Sequence, residues 1–218
     1  MRPLIVNTFL TLDGVMQAPG GPEEDQEGGF DHGGWSVGYW DEAMGEKMGE
    51  FMSRPYDLLL GRKTYEIFAA HWPKVEAPED GGLNAARKYV ASRTLDAVEW
   101  SNSTLLEGDI GEAVAALKDE DGPEIQVHGS GNLLQTLIEH DLVDRLQLML
   151  FPVVLGTGKR LFGDGAVPAG LKLVDSSVFS SGVVLVAYER EGDVRYGSFA
   201  LEEPNEAELA RRAKLREG

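Results

Sequence analysis

The chain has no cysteine. That absence removes disulfides, thiol nucleophiles, thiolate zinc sites and iron–sulfur clusters. It also lacks any apolar run near the roughly 20 residues of a membrane-spanning helix. The amino-terminal stretch "MRPLIVNTFLTLDG" has one basic residue and a short apolar run. It alternates into Asp13-Gly14 with no small-residue cleavage site, so it reads as a first strand rather than a leader. A cytoplasmic protein without a membrane partner is expected. Cations are scarce: 20 Lys and Arg stand against 37 Asp and Glu, a formal charge of −17. So acidic a surface repels nucleic acid. The four histidines, at 32, 71, 128 and 140, show no H-E-x-x-H or other close ligand spacing, so no metal site is expected. A P-loop motif and G-x-S-x-G are also missing.

What is present is a chain of 218 residues with 42% hydrophobic content and 27 glycines. Such a length buries a substantial core. "LIVNTFLTL" is apolar on both parities, as a strand buried on both faces requires. A long glycine-rich, acidic loop follows over residues 17–38, and loops of that length are commonly functional. "DEAMGEKMGEFM" places Met44, Met48 and Phe51 on one helical face. Strand and helix patterns then alternate: "YDLLL" into "GRKTYEIFAAHW", "RKYVAS", a helix capped by Asp109, "EIQVH", a helix over "NLLQTLIEH", and "DRLQLMLFPVVL". The chain ends in a hairpin turning at Ser181-Gly182, a short strand over "VRYGSF", and a polar helix or tail after Pro204. The pattern argues a single-domain α/β fold. A mixed, mostly parallel sheet would carry helices on both faces and end in an antiparallel hairpin.

Three strand ends carry chemistry. In "LLLGRKTYE" a glycine leaves a strand and opens a helix, so backbone N–H groups and the helix dipole can face an anion, with Arg62 and Lys63 at the mouth. In "VASRT" a hydroxyl and a guanidinium, Ser92 and Arg93, end a strand in a manner suited to a phosphate monoester. In "VHGSGNLLQ", Gly129 and Gly131 permit close backbone approach ahead of a helix. This is not the dinucleotide fingerprint, because Leu134 stands where a third glycine is needed. Taken singly, each motif is equally readable as a turn.

Together, in this order and after the long loop, these segments resemble the dihydrofolate-reductase-like family. The closer likeness is to the branch containing the reductase domain of bacterial riboflavin biosynthesis. "TLDGVMQAPG", "LLLGRKTYE", "YVASRT" and "EIQVHGSGNLLQTLIEHDLVDRLQLMLFPVVLGTGKRLF" carry the resemblance. It covers residues 1–190, with 191–218 left as the short strand and polar helix or tail. The resemblance implies a three-layer fold with NADPH lying across the strand ends. Gly61, Arg62 and Thr64 would flank the adenosine side, and Ser92 and Arg93 would meet the 2′-phosphate. Gly129, Ser130, Gly131, Asn132 and Leu133 would cradle the pyrophosphate. The nicotinamide would rest near Phe9, Met16 and Gln17, under a closing "LGTGKR" segment. On the substrate side, the resemblance points to Asp13 with Trp35 stacking nearby, or to Asp41 or Glu46 on the helix after the first loop. It also implies a homodimer. The reading is an NADPH-dependent reductase of a C=N or C=O bond in a small, heterocyclic substrate. The alternative is a noncatalytic nucleotide-binding or interaction protein, and that reading gains if neither Asp13 nor Asp41 lines the pocket.

Overall fold

The computed structural model describes residues 1–163, 166–200 and 203–217. Residues 164–165, 201–202 and 218 lie outside them. One eight-stranded sheet organises the chain. Its strands are β1 (Leu4–Thr11), β2 (Tyr56–Gly61), β3 (Lys88–Ala91), β4 (Ser103–Leu105), β5 (Glu124–His128), β6 (Arg145–Phe151), β7 (Leu171–Val178) and β8 (Val184–Arg190), in the order β4-β3-β2-β5-β1-β6-β8-β7. The pairs from β4 to β6 are all parallel, and β8 is antiparallel to both β6 and β7. The mixed sheet and closing hairpin therefore match the sequence reading. Gly182 takes φ +84° in the hairpin turn.

β1 lies at the centre, which explains its apolar residues on both parities. Leu4, Val6 and Leu10 face one layer, where they meet α3 (Ile110–Asp119) and α4 (Gly131–Glu139) through Val114, Leu134 and Leu137. Phe9 faces the other layer. There α1 (Glu42–Met52) packs Met44, Met48 and Phe51 against Met149, Phe151 and Leu185. On the same face α2 (Arg62–His71) sets Tyr65 and Phe68 over Leu58, Leu60 and Val90. The result is three layers, with helices on both faces of the sheet.

Two carboxyl-terminal expectations resolve differently. Residues 194–199 form no strand, and Tyr196 and Phe199 are exposed. The polar tail is a helix, α5 (Glu206–Glu217), and Asn205 Oδ1 accepts from Glu208 N at its start.

Lys88 was legible only as part of a strand, yet it is fully buried. Its ammonium donates to the carbonyls of Ala86 (2.8 Å), Ser101 (3.0 Å) and Asn84 (3.2 Å), and lies 4.2 Å from the Trp100 ring centroid. Those contacts fasten the crossover into β3 to the segment entering β4. A charge so placed is tolerated because each donor has a partner. Lys88→Met is expected to cost about 1.5–3 kcal/mol, the range for hydrogen bonds to a charged group. Chemical denaturation measures it, and an unchanged midpoint would deny Lys88 this fastening role.

Candidate active site

Parallel strands put their carboxyl ends on one edge of the sheet, where a ligand crevice belongs in an open α/β sheet. Here that edge opens into a cleft of about 1670 Å³. Every residue expected on the cofactor side lines it: Phe9, Met16 and Gln17 after β1; Gly61, Arg62 and Thr64 at α2; Ser92 and Arg93 after β3; and Gly129 to Leu133 ahead of α4.

The turn between β5 and α4 requires two successive left-handed residues, Gly129 (φ +59°) and Ser130 (φ +64°). A side chain at Gly129 would meet only ordinary contacts, nearest Thr64 Oγ1 at 3.5 Å, so the backbone conformation is what demands glycine. Gly131 has neither a positive φ nor crowding from protein, and its bare face lines the cleft. Ser130 is not free. Its Oγ accepts from Gly61 N (2.9 Å) and donates to Thr64 Oγ1 (2.9 Å), pinning the mouth of α4 to that of α2. Both helices thus open onto one place. The N–H groups of Gly131, Asn132 and Leu133 meet no protein acceptor among the described residues.

The cations divide. Arg62 is paired with Glu66, one turn on. Lys63 is held by Glu27 of the long loop, and Lys159 by Asp25 (2.5 Å) and Glu27 (2.6 Å). The Lys159 and Lys63 ammoniums hold Glu27 down at about 2. Arg93 makes no ion pair among the described residues. Ser92 Oγ accepts from the N–H groups of Thr94 (3.1 Å) and Leu95 (3.0 Å), which leaves its hydroxyl proton available. Thr8 of β1 also borders the cleft, with its Oγ1 buried and without a hydrogen-bond partner among the described residues. The long loop is ordered over the cleft: Met16 N donates to Lys159 O (2.8 Å), and Lys159 N to Gln17 Oε1 (3.0 Å). The 156–160 segment therefore lies against this loop, and Lys159 reaches the cleft.

Four residues expected on the substrate side, Asp13, Asp41, Glu46 and Trp35, stand outside the cleft. Asp13 does not line the cleft. Its carboxylate accepts from Thr11 Oγ1 (2.6 Å), Gly156 N (2.8 Å) and Leu155 N (3.2 Å), and Arg160 approaches at 3.4 Å. It is a clamp between two loops. Asp41 is the N-cap of α1, accepting from Met44 N (2.9 Å) and from the Ser180 hydroxyl (2.7 Å), also outside the cleft. Glu46 stays out as well, because α1 turns Met48 and Met52 into the cleft instead. Trp35 donates its indole N–H to Gln17 O (2.8 Å) and packs edge-on against Phe151, so it anchors the loop. The exposed cleft tryptophan is Trp40, 5.8 Å from the Phe9 ring. Asn7, His71 and His128 also line the cleft and went unassigned in the sequence. No usable signal for them stood in the sequence: β5 is itself half polar, with Glu124 and Gln126, and His128 merely ends it, so Asn7 in β1 had no visible counterpart. Among the described residues, no three His, Asp or Glu side chains converge as metal ligands, and no helix is long and apolar enough to cross a membrane.

Comparisons with known proteins agree on the architecture. The family described as the RibD C-terminal domain matches residues 2–185. The uncharacterized protein YyaP of Bacillus subtilis is 32% identical over 196 residues, spanning 88% of this chain and 96% of its own. A protein assigned to riboflavin biosynthesis in Shewanella sp. PV-4 superposes with a TM-score of 0.65 at 22% identity, covering 87% of this chain and 99% of that one. Dihydrofolate reductase of Enterococcus faecalis, solved with NADP(H), gives 0.55 at 16% identity, with 87% and 96% covered.

The Asp13 clamp has a pH signature. The Thr11 hydroxyl, helped by the Gly156 and Leu155 N–H groups, holds its carboxyl at about 2, below the ordinary 3.8. A carboxyl depressed by folding contributes stability that is present above about pH 4 and is lost as pH falls through about 2. Asp13→Asn is expected to lower stability at pH 7 by about 1–3 kcal/mol and to flatten part of this acid limb. Denaturation curves from pH 7 to pH 2 check both effects, and identical curves would contradict the clamp.

Proposed function

The chain belongs to the RibD C-terminal domain family, and on that footing we propose that it is a cytoplasmic, NADPH-dependent reductase acting on a C=N or C=O bond of a small heterocyclic substrate. The family supports a reductase-type role in general; the cofactor and bond type are this proposal's own. The observation that carries it is Arg93. In a chain of net charge −17, its guanidinium sits at a strand end in the cleft with no carboxylate against it among the described residues. The adjoining Ser92 keeps a hydroxyl proton to donate. This pair suits the 2′-phosphate that distinguishes NADPH from NADH. The N–H groups at the start of α4, beside the bare face of Gly131, suit a diphosphate.

When bound, NADPH supplies a hydride from its nicotinamide. The protein's part is to orient and to exclude water. Phe9, Met16 and Trp40 provide apolar wall. Neither Asp13 nor Asp41 delivers the proton that completes the reduction, since neither lines the cleft. That same fact favours the second reading, a nucleotide-binding protein without chemistry. Oxidation of NADPH by candidate substrates separates the two. We also propose a homodimer through β7, an edge strand that leaves Leu171, Leu173, Val174 and Val178 exposed. A monomer by light scattering would remove the dimer.

Thermal shift is the test of the cofactor, because a ligand of the native state raises its apparent stability. NADPH is expected to raise the Tm and NADH to do so weakly. Arg93→Ala should weaken NADPH by about 10- to 100-fold, as loss of charge-assisted bonds worth roughly 1.5–3 kcal/mol implies. NADH binding should barely change. Equal loss for both nucleotides would refute the role of Arg93.

A further inference from the structure

Beyond the strand-end half of the cleft, a second half lies on the sheet face between α1 and α2. Its walls are largely apolar, with Phe9, Trp40, Met48, Met52 and Phe68 among them. Polar groups enter it from the sheet itself. Asn7 of β1 and His128 of β5 are direct register partners on neighbouring parallel strands, so their side chains leave the same face side by side.

Behind them stands Gln126, 1% exposed. Its Nε2 donates to Glu124 Oε1 (2.7 Å) and to the Phe51 carbonyl (3.3 Å). Both partners only accept, which fixes the orientation of the amide. Its Oε1 is therefore the atom that lies 3.1 Å from His128 Nε2 and 3.4 Å from Asn7 Nδ2. An amide oxygen can only accept, so both neighbours turn an N–H toward it. Burial pushes the His128 imidazole down to about 4, so the ring is neutral at pH 7. A neutral ring that spends its one proton at Nε2 presents a bare Nδ1 acceptor. Asn7, with its amino group directed at Gln126, presents Oδ1. Neither Nδ1 nor Oδ1 has a protein partner among the described residues. Two uncharged acceptors thus stand together in the largely apolar half of the cleft, to which α1 brings no carboxylate.

We infer that Asn7 and His128, oriented by Gln126, are the specificity-determining pair of this cleft and select a planar, uncharged ring presenting two adjacent N–H donors along one edge. The inference rests on the reductase reading only for its chemistry, since recognition of the donor edge needs no cofactor. A carboxylate would favour a cationic edge and could take up its proton. The Asn–His pair does neither, so it rejects anions and gains nothing from a charged ring. A ligand lacking one donor would leave an acceptor buried and unpaired, and sites of that kind discriminate strongly.

The test uses two bicyclic probes of equal shape at pH 9, where both are neutral. 2-Aminobenzimidazole offers adjacent ring and exocyclic N–H donors, and 2-methylbenzimidazole replaces the second donor by a methyl group. Titration calorimetry on the whole protein, with and without NADPH, is expected to show at least tenfold preference for the amino compound. His128→Phe and Asn7→Leu should each bring that ratio near one while leaving the NADPH thermal shift in place. Equal affinity in the wild-type protein, binding of neither probe, or an unchanged ratio in folded variants overturns the pair. If NADPH fails to bind while the wild-type preference holds, the reductase reading falls and the recognition pair stands. If NADPH binds while the preference is absent, the reverse is true.

Discussion

Parallel pairing of β1 with β5 on one side and β6 on the other is the constraint on which this molecule depends. It holds a central strand away from solvent on both faces, so β1 must be apolar on both parities. Because every strand from β4 to β6 runs the same way, the segments leaving β1, β2, β3 and β5 emerge on one edge. Segments from residues 7 to 159 then share a single cleft. The Ser130 hydroxyl completes the arrangement by bonding Gly61 N and Thr64 Oγ1, so that the mouths of α2 and α4 keep a fixed relation. Two helix starts and a guanidinium with no ion pair among the described residues face one crevice as a consequence of strand direction, with no need for a long binding motif.

Electrostatics sets the second condition. A chain of net charge −17 repels a phosphorylated ligand unless its cations are concentrated and its acids are occupied. At the cleft this is met in part, by the pairing of two loop acids. The long acidic loop spends Asp25 and Glu27 on Lys159 and Lys63, while Arg93 stays out of that network. On the far side, polarity is rationed to neutral groups. An amide and an imidazole, held by a second amide, do their work without the desolvation cost that a buried carboxylate would carry.

Much of this was legible in the sequence, for physical reasons that can be named. Strand and helix alternation, the glycine at each helix mouth and the Ser-Arg pair after β3 are local signals, and the fold gathers those residues as expected. The Asp109 cap and the Met44–Met48–Phe51 face are equally local. Asp13 and Trp35 were misplaced because their roles depend on partners far along the chain: Gly156 and Arg160 for one, Phe151 for the other. Asp41 was misplaced for a different reason, since an aspartate before a helix is as good a cap as a catalyst. The Asn7–Gln126–His128 set could not be read at all. Its members meet through register between strands some 120 positions apart, and no spacing in the sequence encodes that.

The central claim is that one NADPH lies along the strand ends. Trp40 and Trp72 line the cleft, so their emission should pass to a reduced nicotinamide bound there. Titrating NADPH while exciting tryptophan tests this most directly. Saturable energy transfer, one nucleotide per chain and reversed by excess NADP⁺, is the predicted result. No saturable transfer in well-folded protein would contradict the claim and leave the strand-end turns with a purely structural role.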